Sequence, residues 1–183
     1  GVDRKGRPEA TIVEVTERNT QQVVGRFYNE SGVCFVRPDN QRINQDVLIA
    51  ADSILQAKAD AAGLKINVNS CGVQALTGKR PDKQALGALE RAGYSIGEEK
   101  RAEQLLMPQA NAAQLMLVME NRHKQWIVQN FPAYSGKVWL MGHWNGQSEV
   151  ADPIGQGPAE FDACLKVLEG EIDLWLPKLR ALL

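Results

Sequence analysis

Leu115-Met116-Leu117-Val118 and Lys137-Val138-Trp139-Leu140-Met141 are two short runs with almost no polar interruption. The stretch between them carries Trp126 and Ile127 and stops before Pro132. A run that is apolar at every position reads as a strand covered on both faces. A helix returning the chain between two such strands makes them parallel.

Working outward, the same alternation continues. Asp52 or Ser53 is placed to cap a helix through Ala62, with Ile54, Leu55, Ala57 and Ala61 inward and Gly63 ending it. Leu64–Asn69 alternates as a strand. Pro81-Asp82 opens a second helix, with Ala85, Leu86, Leu89 and Ala92 on one face and Gly93 as its stop. Downstream, Phe161, Cys164, Leu165, Leu168, Ile172, Trp175, Leu176, Leu179 and Leu182 recur at helical spacing, with Pro177 inside the pattern. The predicted class is α/β, a parallel sheet flanked by helices.

The first 50 residues have another texture. Thr11–Val15, Gln22–Tyr28 and Val33–Val36 are β-branched and aromatic, and Asn29-Glu30-Ser31-Gly32 is a turn of hairpin type. The expectation is a small antiparallel β segment over residues 1–45, then an α/β domain over residues 46–183.

Composition narrows the classes. The chain has 183 residues, 44% hydrophobic, with formal net charge −1. Residues 1–50 hold seven basic and seven acidic side chains, so electrostatics alone does not point to nucleic acid. No run of about 18 apolar residues is present, and GVDRKGRPEA lacks the apolar stretch of a secretory signal. A cytoplasmic protein away from membranes is expected. Cys34, Cys71 and Cys164 form no CxxC, and His123 and His143 lie near none of them in sequence. Neither a zinc site nor any cofactor is expected.

Residues 51–183 carry Asn69-Ser70-Cys71-Gly72, Gly78-Lys79, Met119-Glu120-Asn121-Arg122-His123, Gly136-Lys137-Val138, Gly142-His143-Trp144 and Ala151-Asp152-Pro153. In this order and spacing they resemble the low-molecular-weight protein tyrosine phosphatases, especially the bacterial kind. The resemblance implies a four-stranded parallel sheet and a phosphotyrosine protein as substrate. Asp3–Glu9, Val24-Gly25-Arg26, Gly32–Val36, Pro38-Asp39-Asn40 and Asp46–Ile49 resemble instead a cold-shock or oligonucleotide-binding segment of ribonuclease R. That resemblance covers about three strands of a five-stranded barrel, and none of that exonuclease's catalytic carboxylates can be placed. A chimera is the expectation, with self-association through open N-terminal strand edges.

The phosphatase resemblance implies a Cys-x5-Arg loop between first strand and first helix, plus an Asp that protonates the leaving group. Asp152 fits the acid. The residues six beyond Cys34, Cys71 and Cys164 are Asn40, Thr77 and Gly170, and none is Arg. The nucleophile is therefore expected to be missing and the chain inactive. Asp46-Val47-Leu48-Ile49-Ala50 is expected to fill the sheet's vacant central slot as a borrowed strand, unless it stays with the N-terminal strands. Leu76, His143 and Trp144 match the substrate rim by resemblance, with a surface loop or packing as the plain alternative. Phe27, Tyr28 and Phe35 are candidates for stacking on RNA bases, or for simple packing.

Overall fold

A computed structural model describes residues 32–37, 45–72, 78, 80–98, 100–102, 105, 107–153 and 156–182. Its elements run β1 (Gly32–Arg37), α1 (Gln45–Ala61), β2 (Asn67–Gly72), α2 (Lys83–Arg91), α3 (Met107–Ala112), β3 (Leu115–Val118), α4 (Asn121–Asn130), a 3-10 helix (Pro132–Lys137), β4 (Val138–Leu140) and α5 (Pro158–Leu182). The four strands are parallel in the order β2-β1-β3-β4. The expected fold class is the one observed.

Alternation along β1 feeds two cores. Val33 and Phe35 face α1, α2 and α5 together with Leu55, Leu117 and Trp175. Cys34 and Val36 face the opposite layer with Met116, Val118, Ile127 and Tyr134. A strand covered on both sides must be apolar along its covered stretch, and Val33–Val36 of β1 is. Completely burying one such side chain contributes about 1.5–3 kcal/mol.

Two expectations about the middle of the sheet are corrected. Asp46–Ala50 is not a strand: it is the first part of α1, which starts well before Asp52. Val47, Leu48, Ala51, Ile54 and Leu55 keep helical spacing within one core, and Ile49 and Ala50 are buried as well. A helix turn apolar on all sides has the same letters as a buried strand, which is why the run misled. The central slot belongs to Val33–Val36, read above as the last strand of the N-terminal segment. The packed unit therefore begins by Gly32, on the far side of the division expected at residue 45.

Other expectations hold with small shifts. Asp82 caps α2 by accepting from the Gln84 N–H at 2.8 Å. Gly63 adopts φ +74 at the end of α1, where the Leu64 N–H reaches back to the Ala59 carbonyl at 2.9 Å. The strand expected at Leu64–Asn69 lies a few residues later, at Asn67–Gly72. Pro177 is accommodated inside α5. The strands expected at Thr11–Val15 and Gln22–Tyr28, the open N-terminal edges and Leu76 lie outside the described residues. None of the described helices is long and apolar enough to cross a membrane.

Candidate active site

The strand order reverses between β1 and β3, because β2 lies on one side of β1 while β3 and β4 lie on the other. In open parallel sheets the crevice at the carboxyl ends of such strands is where ligands bind. Arg37 ends β1 there, and α4 starts there after Glu120.

The segment after β4 is steered to this crevice by main-chain bonds. The Met141 N–H donates to Val118 O at 2.8 Å and the Val150 N–H donates to Met119 O at 3.0 Å, so the loop leaves and rejoins the end of β3. Its tip closes where Gly142 meets Ser148, and a Cβ on Gly142 would lie 2.1 Å from the Ser148 carbonyl oxygen. Only glycine fits that approach. Buried Glu171 of α5 then anchors the tip by accepting from Ser148 Oγ at 2.7 Å. Two residues beyond Val150, Asp152 meets Arg37, whose Nη1 donates to Oδ2 at 2.9 Å. The Asn121 N–H, at the start of α4, donates to Glu149 at 2.7 Å.

Asp152 is thus brought to the crevice beside Arg37. Its partner Arg37 was missed, because the residue closes a strand assigned above to a hairpin. His143 and Trp144 sit in an aromatic cluster: the His143 ring lies 4.5 Å from those of Trp139 and Trp144, and Trp175 packs against both tryptophans. Lys178 covers the Trp144 ring at 4.6 Å. Phe35 is fully buried beneath α1 and α5, so it is core and cannot stack on a base.

The thiols take two environments. Cys34 and Cys71 contact each other across β1 and β2, Sγ to Sγ 3.4 Å. Cys164, on α5, lines a cavity of about 350 Å³ with Asp152, Pro153 and Val167. Burial, then the nearby Asp152 charge, pushes its thiol up to about 12. At neutral pH it is protonated, the opposite of what an attacking sulphur needs.

A second polar group ties α1 to β2. Buried Asp52 accepts from Ser70 Oγ and pairs with Lys100 Nζ at 3.0 Å, and burial raises its carboxyl above the usual range. Arg80 fixes that lysine's segment by donating to the carbonyls of Gly97, Glu98 and Lys100. Asp52 was expected as a helix cap; it is instead inside α1, tying it to β2. Among the described residues no three His, Cys, Asp or Glu side chains gather as metal ligands would.

Known proteins match two parts of the chain. Over 58 residues it is 52% identical to ribonuclease R of Escherichia coli, covering 32% of this chain but only 7% of that enzyme. Over 117 residues it is 34% identical to the "Probable low molecular weight protein-tyrosine-phosphatase EpsP" of Ralstonia nicotianae, covering 64% of this chain and 79% of that one. The solved low molecular weight protein tyrosine phosphatase of T. tengcongensis superposes with a TM-score of 0.73 at 28% identity, over 81% of this chain and 99% of that one. The family model for low molecular weight phosphotyrosine protein phosphatase matches residues 48–182, from within α1 to the end of α5. With sheet order and sequence match in agreement, the chain belongs to the low molecular weight phosphotyrosine protein phosphatase family.

Proposed function

We propose that this chain keeps a phosphotyrosine-phosphatase scaffold and its acid, Asp152, without a thiolate to attack phosphorus, and so does not turn over a phosphotyrosine protein. One observation carries the reading. On the way from β1 to α1, where the family resemblance puts Cys-x5-Arg, the residue six before Arg42 is Val36, fully buried. A hydrocarbon cannot serve as nucleophile. Cys164 does not replace it, since its thiol is held protonated. His143 and Trp144 keep the position of a substrate rim, shaped by their packing on α5.

The test is hydrolysis of an aryl phosphate by the purified chain across pH 5 to 8. No release above blank is expected. Turnover that disappears on Asp152→Asn would overturn the proposal.

The ribonuclease R match favours a second reading, in which the chain joins two ancestries and the upstream part takes single-stranded RNA through Phe27 and Tyr28. Binding of a labelled RNA that weakens with salt and falls on Phe27→Ala supports it. Binding that ignores both rejects it.

A further inference from the structure

Three adjacent strands bring sulphur to one place. Cys34 of β1 and Cys71 of β2 point into the same core, their Sγ atoms 3.4 Å apart. On the other flank of β1, the register sets Met116 of β3 directly beside Cys34, in that same core. All three side chains are at most 1% exposed, among Val36, Ala110 and Ile127.

The thiol pair is poorly placed for a disulfide. β1 and β2 align Cys34 with Asn69 and Val36 with Cys71. The two cysteines are therefore two residues out of step, which puts their Cα atoms roughly 8 Å apart by strand geometry. A disulfide does not span more than about 7 Å between Cα atoms without moving backbone. A metal ion between the sulphurs supplies the missing length. Thiolates and thioethers select soft ions such as Cu(I). Apart from the Asn69 amide, which donates to Cys71 Sγ at 3.8 Å, and Lys137, the surroundings are apolar and disfavour hydrated ions of higher charge.

Charge balance is also provided for. On binding, both thiols release their protons to solvent, and one monovalent ion with two thiolates leaves one net negative charge. The Lys137 ammonium, fixed by the carbonyls of Ala110 at 2.6 Å and Ala113 at 2.8 Å, interacts electrostatically with Cys34. Burial lowers the pKa of this amine and the Cys34 charge opposes that shift, so thiolates beside it would favour its charged form.

We propose that Cys34 and Cys71, with Met116 alongside, form a buried binding site for a soft monovalent cation of the Cu(I) class. The site is independent of phosphatase chemistry, and its test does not read hydrolysis. The full reduced chain is titrated anaerobically with Cu(I) against a chromogenic Cu(I) chelator. One ion per chain is expected, lost in Cys34→Ser and Cys71→Ser, weakened about tenfold in Met116→Leu, and retained in Cys164→Ser. Circular dichroism checks that each variant is folded. X-ray absorption on the unmodified chain needs no variant and is expected to show sulphur neighbours alone around copper. Nitrogen or oxygen ligation, no captured ion, or an ion lost only in Cys164→Ser would overturn the proposal.

Discussion

Arg37 and Asp152 join the two ends of the crevice: one closes β1, the other follows the loop after β4, and their ion pair is 2.9 Å long with side chains 6% and 11% exposed. The cation thus occupies one oxygen of the Asp152 carboxylate, the group proposed above as the acid. Removing one member of a buried pair strands the other, and costs more than replacing both. Arg37→Met should lower the unfolding free energy by about 3 kcal/mol. The double change Arg37→Met with Asp152→Leu should recover much of that. Urea denaturation of the three chains decides it, and equal stabilities would show the pair to be inert.

If the nucleophile is lost as proposed, spacing shows where to reinstall it. Val36→Cys restores Cys-x5-Arg with Arg42. Pro38 has no N–H to give and Asp39 adds a negative charge to the same segment, both unfavourable to holding a phosphate. Val36→Cys alone should therefore stay inactive. Adding Pro38→Gly and Asp39→Asn should give measurable aryl phosphate hydrolysis, which Asp152→Asn lowers by about 100-fold. Steady-state release of the phenol reads both outcomes.

Alkaline pH should expose the Cys164 thiol. Its folded value, about 12, lies above the ordinary thiol value of 9.0. Above pH 9 the unfolded chain gives up this proton more readily than the folded one, so stability is lost as pH rises from there toward 12. The urea midpoint should fall more steeply between pH 8.5 and 10.5 in the parent than in Cys164→Ala. Parallel slopes would remove Cys164 as the cause.

Lys100 should matter through Asp52 rather than through its own surface. Its side chain is 27% exposed, whereas that of Asp52 is 4% exposed. Lys100→Met leaves a buried carboxylate supported by Ser70 and Ser53 alone among the described contacts. A loss of about 2 kcal/mol at pH 7 is expected, on the low side for a buried pair because the lysine is partly in water. Because burial raises the Asp52 carboxyl, protonation at low pH relieves the penalty. The deficit should therefore shrink toward pH 4, as thermal melts at both pH values would show.

Much of the sheet was legible because its strands are covered on both faces: Leu115–Val118 and Val138–Leu140 can be little else. Asp152 was legible through the motif around it. The centre was not, since Val33–Val36 reads identically in a hairpin and in a buried parallel sheet. What separates the two is a partner far away in sequence, Leu115. Asp46–Ala50 misled for a related reason, as an all-round buried helix turn loses its periodicity. Arg37, the Cys34–Cys71 contact and the Asp52–Lys100 pair are tertiary meetings with no local signal, so only coordinates reveal them. For Phe35 the sequence left base stacking and simple packing both open, and burial in the core decides for packing.

Because the inner strand precedes the other three described strands of its sheet, assembly has a built-in order. Val33 finds Val68 after a single helix, but reaches Leu115 only once most of the chain between has been made. Closing the longer loop costs more entropy and is slower. A nascent β1-α1-β2 unit is expected to form early and wait with one flank of β1 uncovered. A chain interrupted before β3 would expose that flank, and chaperones or self-pairing would compete for it.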